Sequence, residues 1–338
     1  MGLVAAALAA PGAARAQDVE QARQEGVFSL VVENDSLSSG ADRNYTSGVR
    51  LAYVQPTGDI PSWLSGGEDF IANFTDARPA FWGVSIGQSI FTPENIAANP
   101  APPDEHPYAG YLYGQILLAT IQNRPDGMFP RFSDLYELEF GMIGPSALGQ
   151  QAQQGIHEFL GAPDPQGWDS QLHDEFVFAL SYERRWSSLR YFADITPGGL
   201  EIVVSPSLGA TLGTLRTEAR AGVTAQIGYQ ILNNYEIGPP RVRPALSGAG
   251  YFEHRDFSWS LFAGVQARAV ARNIFLDGNT YRDSARVDRI PGVVDGQVGF
   301  TLQMGDARLA YTYVVRTDEF ETQTAAQDFG TLALQLRF

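Results

Sequence analysis

An apolar–polar alternation of period two recurs along this chain, and no other feature restricts its fold as tightly. Tyr136, Leu138, Phe140 and Met142 alternate with Glu137, Glu139 and Gly141. Val223, Ala225, Ile227, Tyr229 and Ile231 alternate with Thr224, Gln226, Gly228 and Gln230. Val294, Val298, Phe300, Leu302 and Met304 share one parity, while Asp295, Gln297, Thr301 and Gln303 share the other. Successive side chains of a strand point to opposite faces, so each run specifies one apolar and one polar face. Such runs reach about ten residues, against about five or six for an ordinary strand. Two settings accept them. One is a soluble antiparallel sandwich with the apolar face inward. The other is an outer-membrane barrel, apolar outward, with strands of ~9–11 residues.

Several features select the barrel. A sheet closed on itself leaves no backbone group unpaired in lipid. Leu332, Leu334, Leu336 and the terminal Phe338 share one parity, an ending similar to the closing strand of bacterial outer-membrane proteins. Trp82, Tyr108, Tyr111, Tyr113, Trp186, Tyr191 and Trp259 fall near strand ends, where an interfacial girdle belongs. Some connections are very short (Arg216-Thr217, Gly305-Asp306) and others long and polar (56–79, 92–107, 233–256, 276–291), which reads as short turns on one rim and long loops on the other. Strands are expected at 27–34, 46–55, 80–90, 108–121, 133–143, 174–186, 200–215, 218–232, 257–274, 293–304, 307–316 and 328–338. The expected fold is therefore all-β, a transmembrane antiparallel barrel of about twelve strands, an even number that leaves both termini on the periplasmic side. That many strands enclose only a narrow lumen. Glu137, Glu139, Gln226 and Gln303 are placed to fill it, which argues against a general pore.

Composition narrows the partners. A formal charge of −15 excludes nucleic acid, whose phosphates require a basic surface. All 23 basic residues are arginine, whose fixed fork of donors suits phosphate and carboxylate. Cysteine is absent, so no disulfide framework contributes. Residues 1–16 read as an export signal, an apolar run followed by Ala14-Arg15-Ala16, and 17–338 as a single barrel domain.

Between Gly144 and Asp174 the alternation stops. Ser146 is a suitable N-cap, Ala147 to Leu160 are mostly helix formers, and Gly161 with Pro163 beyond it ends the helix. Gln150, Gln153 and His157 fall along one helical face, flanked by Ile156, Phe159 and Leu160. Such a helix follows the fifth strand and lies outside, as does the turn ENDSLSSGADRNYTSG after the first (33–48). Asn34-Asp35 is by itself an Asx-turn. Sharing a rim with the helix, it adds a carboxylate, an amide and the Thr46 hydroxyl to an imidazole. Such a set suits ester hydrolysis: His takes a proton from water, and Asp35 with neutral oxygens suits Ca2+ rather than Zn2+. A serine hydrolase using Ser36, Ser38, Ser39 or Ser47 ranks second, because none of these serines sits in a G-x-S-x-G elbow.

In order along the chain come E-N-D (33–35), D-R-N-Y-T-S-G (42–48), P-Y-A-G-Y-L-Y (107–113), G-P-S-A-L-G-Q-x-x-Q-x-x-x-H (144–157) and G-W-D-S-Q-L-x-D-E (167–175). This set resembles the lipid A 3-O-deacylase family of Gram-negative outer membranes. The resemblance implies a monomeric twelve-stranded barrel with its site between the wall and an external helix. It implies Ca2+-dependent removal of the 3-linked acyl chain from lipid A, a lipopolysaccharide component, in the outer membrane. Carried over by position, His157 is the general base, Gln153 orients the site, Asn34 and Thr46 line the opposite wall, and Asp35 is the calcium ligand. Arg43, Tyr45, Gln171 and Glu175 belong to the same motifs without an assigned role. A catalytically silent structural barrel and an outer-membrane phospholipase or esterase are the alternatives.

Overall fold

The computed structural model describes residues 25–38, 44–58, 60–75, 77–123, 130–186, 189–193, 199–231, 241–242 and 250–338. The expected export signal (1–16), Ser39 and Arg43 lie outside these.

Its strands are β1 (Val27–Asn34), β2 (Asn44–Pro56), β3 (Pro79–Thr92), β4 (Ala109–Asn123), β5 (Pro130–Ile143), β6 (Glu175–Trp186) and β7 (Leu189–Ala193). They continue as β8 (Leu200–Gly213), β9 (Arg216–Tyr229), β10 (Arg255–Asn273), β11 (Gly292–Gly305), β12 (Ala307–Arg316) and β13 (Gln327–Arg337). Apart from β6 and β7, neighbours in sequence pair antiparallel, and β1 closes on β13 from Val27↔Arg337 to Asn34↔Gly330. β6 and β7 meet successive parts of the same edge of β8, Ala179–Arg185 against Gly213–Ser207 and Leu189–Ala193 against Val204–Leu200. They form one broken stave, so the described strands close as a barrel of twelve staves. No helix among the described residues is long and apolar enough to cross a membrane; the strands make the crossing.

Burial decides between the two settings. On β13, Leu332, Leu334, Leu336 and Phe338 are exposed, while Thr331, Gln335 and Arg337 are buried. The same inversion holds on β11, where Val294, Val298, Phe300, Leu302 and Met304 are exposed and Asp295, Gln297, Thr301 and Gln303 are buried. Polar residues point inward and apolar ones outward, which only a lipid surround stabilises.

The lumen is filled. Asp295 accepts from Arg316 Nε at 2.6 Å and lies 3.2 Å from Arg268 Nε. Arg268 also reaches Glu218 (3.3 Å) and Glu319 (3.5 Å). Glu33 accepts from Tyr45 (2.8 Å), Thr331 (2.8 Å) and Arg241 Nε (3.0 Å). Arg241 belongs to the β9–β10 connection, which starts from the rim holding both termini and enters the barrel. From it, the Gly250 carbonyl accepts from Gln335 at 2.9 Å, and the Tyr251 ring packs tilted against Phe81 at 4.6 Å. At the far rim, Phe275 of the short helix Ile274–Asp277 stacks on Phe91 at 4.0 Å. Two spaces in the lumen among the described residues measure about 40 and 20 Å³, room for water only. This agrees with the expectation of a filled lumen.

Two expectations need correction. The short turns lie on opposite rims, because the β8–β9 turn follows an odd stave and the β11–β12 turn an even one. Each rim therefore carries both short turns and long connections. The aromatic girdle is also smaller than expected. Tyr111 and Tyr113 face the lumen and stack at 4.9 Å, Tyr108 is buried against Trp168 at 4.9 Å, and Trp82 is buried outside the wall. Trp186 and Trp259 remain half-buried, as a girdle residue would be; Tyr191 lies outside the described side chains.

Candidate active site between wall and external helix

The wall half of the site is set by the ends of β1 and β2. Asn34 is the last residue of β1, on the outward parity of Phe28 and Leu30. It caps a 3-10 turn, Asp35–Leu37: its Oδ1 accepts from Ser36 N at 2.7 Å and also from the Ser36 hydroxyl. Its Nδ2 donates to the Thr46 carbonyl at 3.1 Å. Ser38 closes the turn, donating from N (2.9 Å) and Oγ (2.7 Å) to the Asp35 carbonyl. Asp35 itself is 1% exposed. Thr46 sits in a β-bulge, the extra residue between the pairs Tyr45↔Phe91 and Ser47↔Ile90. A bulge re-aims side chains: Tyr45 enters the lumen toward Glu33, and Thr46 shares a hydrogen bond with Thr92 at 2.6 Å.

The other half is α1 (Gly149–Leu160), after the 3-10 turn Pro145–Ala147. It lies on the outward face of β3 and β4. Gln88 Nε2 on β3 donates to the Ala147 carbonyl at 2.6 Å. Ile90, Tyr108 and Trp168 pack together with Ala152 against them. Closest approach is glycine on glycine: a Cβ on Gly110 would lie 2.9 Å from the Gly149 Cα. The two motifs P-Y-A-G and A-L-G therefore meet at these residues, and neither tolerates a side chain there. Gly110→Ala is expected to lift the helix from the wall and lower activity at least about tenfold, since small displacements of catalytic groups are costly. Heat-modifiable mobility on gels should stay unchanged; a fully active Gly110→Ala refutes the close packing.

Gly149, Gln153 and His157 form the buried stripe of α1, with Gln153 2% and His157 5% exposed. Gln153 Oε1 accepts from Trp168 Nε1 at 2.9 Å, which fixes the amide orientation and leaves Nε2 as the donor end. Nε2 has no hydrogen-bond partner. His157 Nδ1 lies 2.5 Å from the Pro163 carbonyl. A carbonyl only accepts, so Nδ1 carries the proton and the lone pair is on Nε2. Gly161, at φ +69°, turns the chain back to bring that carbonyl under the ring. This is the helix end expected at Gly161.

Three details differ from expectation. Ser146 does not cap α1. It binds Asp174, with N and Oγ each 2.8 Å from a carboxylate oxygen, and Leu148 at φ +58° starts the helix instead. Gln150 is half-buried, beside the stripe. Ile156 and Phe159 are exposed, 45% and 89%, and flank the helix on the side away from the barrel. An apolar flank in a lipid surround has no need of the wall.

Asn34 and Thr46 are thus joined directly, and Thr46 reaches Thr92 on the outward face of β3. The helix covers the same face at Gln88 and Ile90, so both halves of the expected site border one seam. Tyr45 belongs to the lumen. So does Glu175, whose Oε2 accepts from Asn279 Nδ2 (3.0 Å) and Thr280 N (2.8 Å) and holds the β10–β11 loop across the mouth. Gln171 ends the 3-10 turn Trp168–Ser170. Sequence reasoning missed Gln88, Thr92, Trp168 and Pro163. The first two left a signal: they are polar residues on the parity of Ile86 and Ile90, which otherwise faces lipid. No group of three or more acidic, histidine or cysteine side chains gathers as a ready-made metal site among the described residues.

A sequence model of the family outer membrane protein LpxR matches residues 2–338. The chain belongs to the LpxR family. It is an outer-membrane barrel, as its alternation and its motifs led one to expect. In structure it is similar to LpxR from Salmonella typhimurium, with a TM-score of 0.71 at 20% identity, covering 92% of this chain and 100% of that one. The β domain of the Bordetella autotransporter BrkA has a TM-score of 0.39 at 11% identity, covering 93% and 97%. The translocator domain of NalP from Neisseria meningitidis has 0.35 at 10%, covering 97% and 95%. No curated protein matches the sequence.

Proposed function

We propose that this LpxR-family barrel removes the 3-linked acyl chain of lipid A by hydrolysing its ester in the seam between α1 and the wall. The observation that carries this reading is the tautomer of His157: with Nδ1–H held by Pro163, Nε2 is the basic nitrogen on the helix stripe that lies against the wall. Water attacks the ester carbonyl as Nε2 takes its proton. The tetrahedral oxyanion collapses, the C–O bond to the sugar breaks, and imidazolium returns the proton to the departing hydroxyl. Gln153 Nε2, its oxygen held by Trp168, and Thr46 supply donors beside the developing oxyanion. The products are the free fatty acid and a lipid A with one chain fewer.

The donors at the wall are all oxygen: the Asp35 carboxylate, the Thr46 and Thr92 hydroxyls and backbone carbonyls. That set fits Ca2+ with its shell completed by water and substrate, and does not fit Zn2+, whose sites are built chiefly on His nitrogen and Cys sulfur. Asp35 would hold the ion, whose charge would polarise the ester carbonyl. The serine reading is weaker, because the Ser36 and Ser38 hydroxyls donate within their own turn.

The test is mass spectrometry of lipid A from cells displaying the protein, with Ca2+ present or chelated. Loss of one hydroxyacyl chain, suppressed by chelation and by Asp35→Ala, is the expected result. Fatty acid released from phospholipid with lipid A intact would favour a phospholipase. A folded barrel without hydrolysis would leave a structural protein.

A further inference from the structure

The connection from β2 to β3 carries a second helix, Ser65–Thr75, on the rim that holds both termini. It folds back against the outside of the wall: Leu64 and Ile71 pack on Trp82 and Leu118, residues of the outward face. Trp63 and Phe70 are each 60% exposed. Between this helix and the outward faces of β4, β5, β6 and β8 lies an apolar groove of about 440 Å³, roughly ten times the lumen space beside Arg50 and Gln115. Its walls include Phe70, Ile116, Leu138, Leu180, Ala210 and Leu212.

We propose that this groove is a fixed site for one acyl chain of a phospholipid of the periplasmic leaflet. The groove is continuous with the apolar outer surface: Leu138, Leu180 and Leu212 have the outward parity of the belt that lipid covers, and each is exposed. Water is excluded at that surface, so an apolar space there is filled by chains. Its polar end is marked too. Tyr136 and Tyr182 pair at 5.3 Å, and two residues farther toward the terminal rim Arg184 donates Nε and Nη2 to Asp134 (2.6 and 2.8 Å). The Arg184 side chain stays 32% exposed, its guanidinium 4.0 Å over the Phe132 ring. A cation beside an aromatic pair is the arrangement that receives a phosphate headgroup at the interface. The helix with outward Phe70, and the 3-10 turn before it with exposed Trp63, lie at the same level, as interfacial helices do. Lipopolysaccharide belongs to the far-rim leaflet and is not the expected occupant.

The full-length folded barrel, equilibrated in vesicles of palmitoyl-oleoyl phosphatidylethanolamine containing lipopolysaccharide and re-extracted in mild detergent, is read by native mass spectrometry. Wild type is expected to retain a phosphatidylethanolamine, and Ala210→Phe, which fills the groove, to lose it by about tenfold with deacylation unchanged. Arg184→Gln should weaken retention less. Because the chain has no cysteine, Phe70→Cys carrying bimane gives an independent readout should Ala210→Phe not fold. Chain-brominated phosphatidylethanolamine should quench it at a lower lipid fraction than bimane on Val298→Cys, which faces bulk lipid on the opposite wall. Equal quenching, no lipid on wild type, equal retention in a folded Ala210→Phe, lipopolysaccharide in its place, or a mass of two chains each overturns the proposal.

Discussion

His157→Gln is expected to lower deacylation by about 10²–10⁴-fold, the range general base catalysis supplies, while the barrel keeps its heat-modifiable mobility. The loss has a specific cause. Glutamine retains a donor for the Pro163 carbonyl but offers no basic nitrogen at the position of Nε2. KM should change little, because the imidazole binds no more of the acyl chains than the amide does. The measurement is the rate of loss of the 3-linked chain, followed by mass spectrometry of lipid A in mixed micelles. Undiminished turnover would place the base elsewhere. A large rise in KM at unchanged kcat would show that His157 positions substrate and does not take the proton.

Asp295→Ala should carry the largest stability cost. Its carboxylate lies between Arg316 and Arg268, with all three side chains at most 4% exposed. Removing it leaves two guanidinium groups facing each other in the lumen, with only Glu218 and Glu319 to answer them. Breaking a buried pair in this way costs about 3–5 kcal/mol, whereas Asp295→Asn/Arg316→Gln, which removes charge in balance, should recover much of that. Urea midpoints in detergent, with unfolding slopes compared, read the difference. A single substitution that costs no more than the double would mean that water reaches this cluster.

Much of the fold was written in side-chain parity. Leu332 to Phe338, and the runs at 136–142, 223–231 and 294–304, state which face meets lipid without reference to any other part of the chain. The rim assignment of the turns was less legible, since it depends on counting crossings and β7 hides inside a stave already begun. The girdle failed for a related reason. Tyr111 and Tyr113 are aromatic, but their parity is that of Gln115, and parity outranks proximity to a strand end. Helix α1 was legible in composition and its end at Gly161 in chain geometry. The partners of its stripe were not, because Trp168 and Pro163 reach Gln153 and His157 only through a loop whose path no period encodes. Thr46 depended on a bulge, and one inserted residue is invisible to an alternation that resumes on its far side.

The Arg241–Glu33 contact also bears on what holds the closed cylinder shut. Glu33 is on the first strand, its second partner Thr331 is on the last, and these two strands form the seam at which the sheet becomes a cylinder. Arg241 arrives from the connection between β9 and β10 and is 1% exposed in the closed cylinder. A cylinder closed without that connection would bury the Glu33 carboxylate without its arginine, a costly state. The interior connection thus works as a keystone: the seam gains its full stability only with the piece behind it in place.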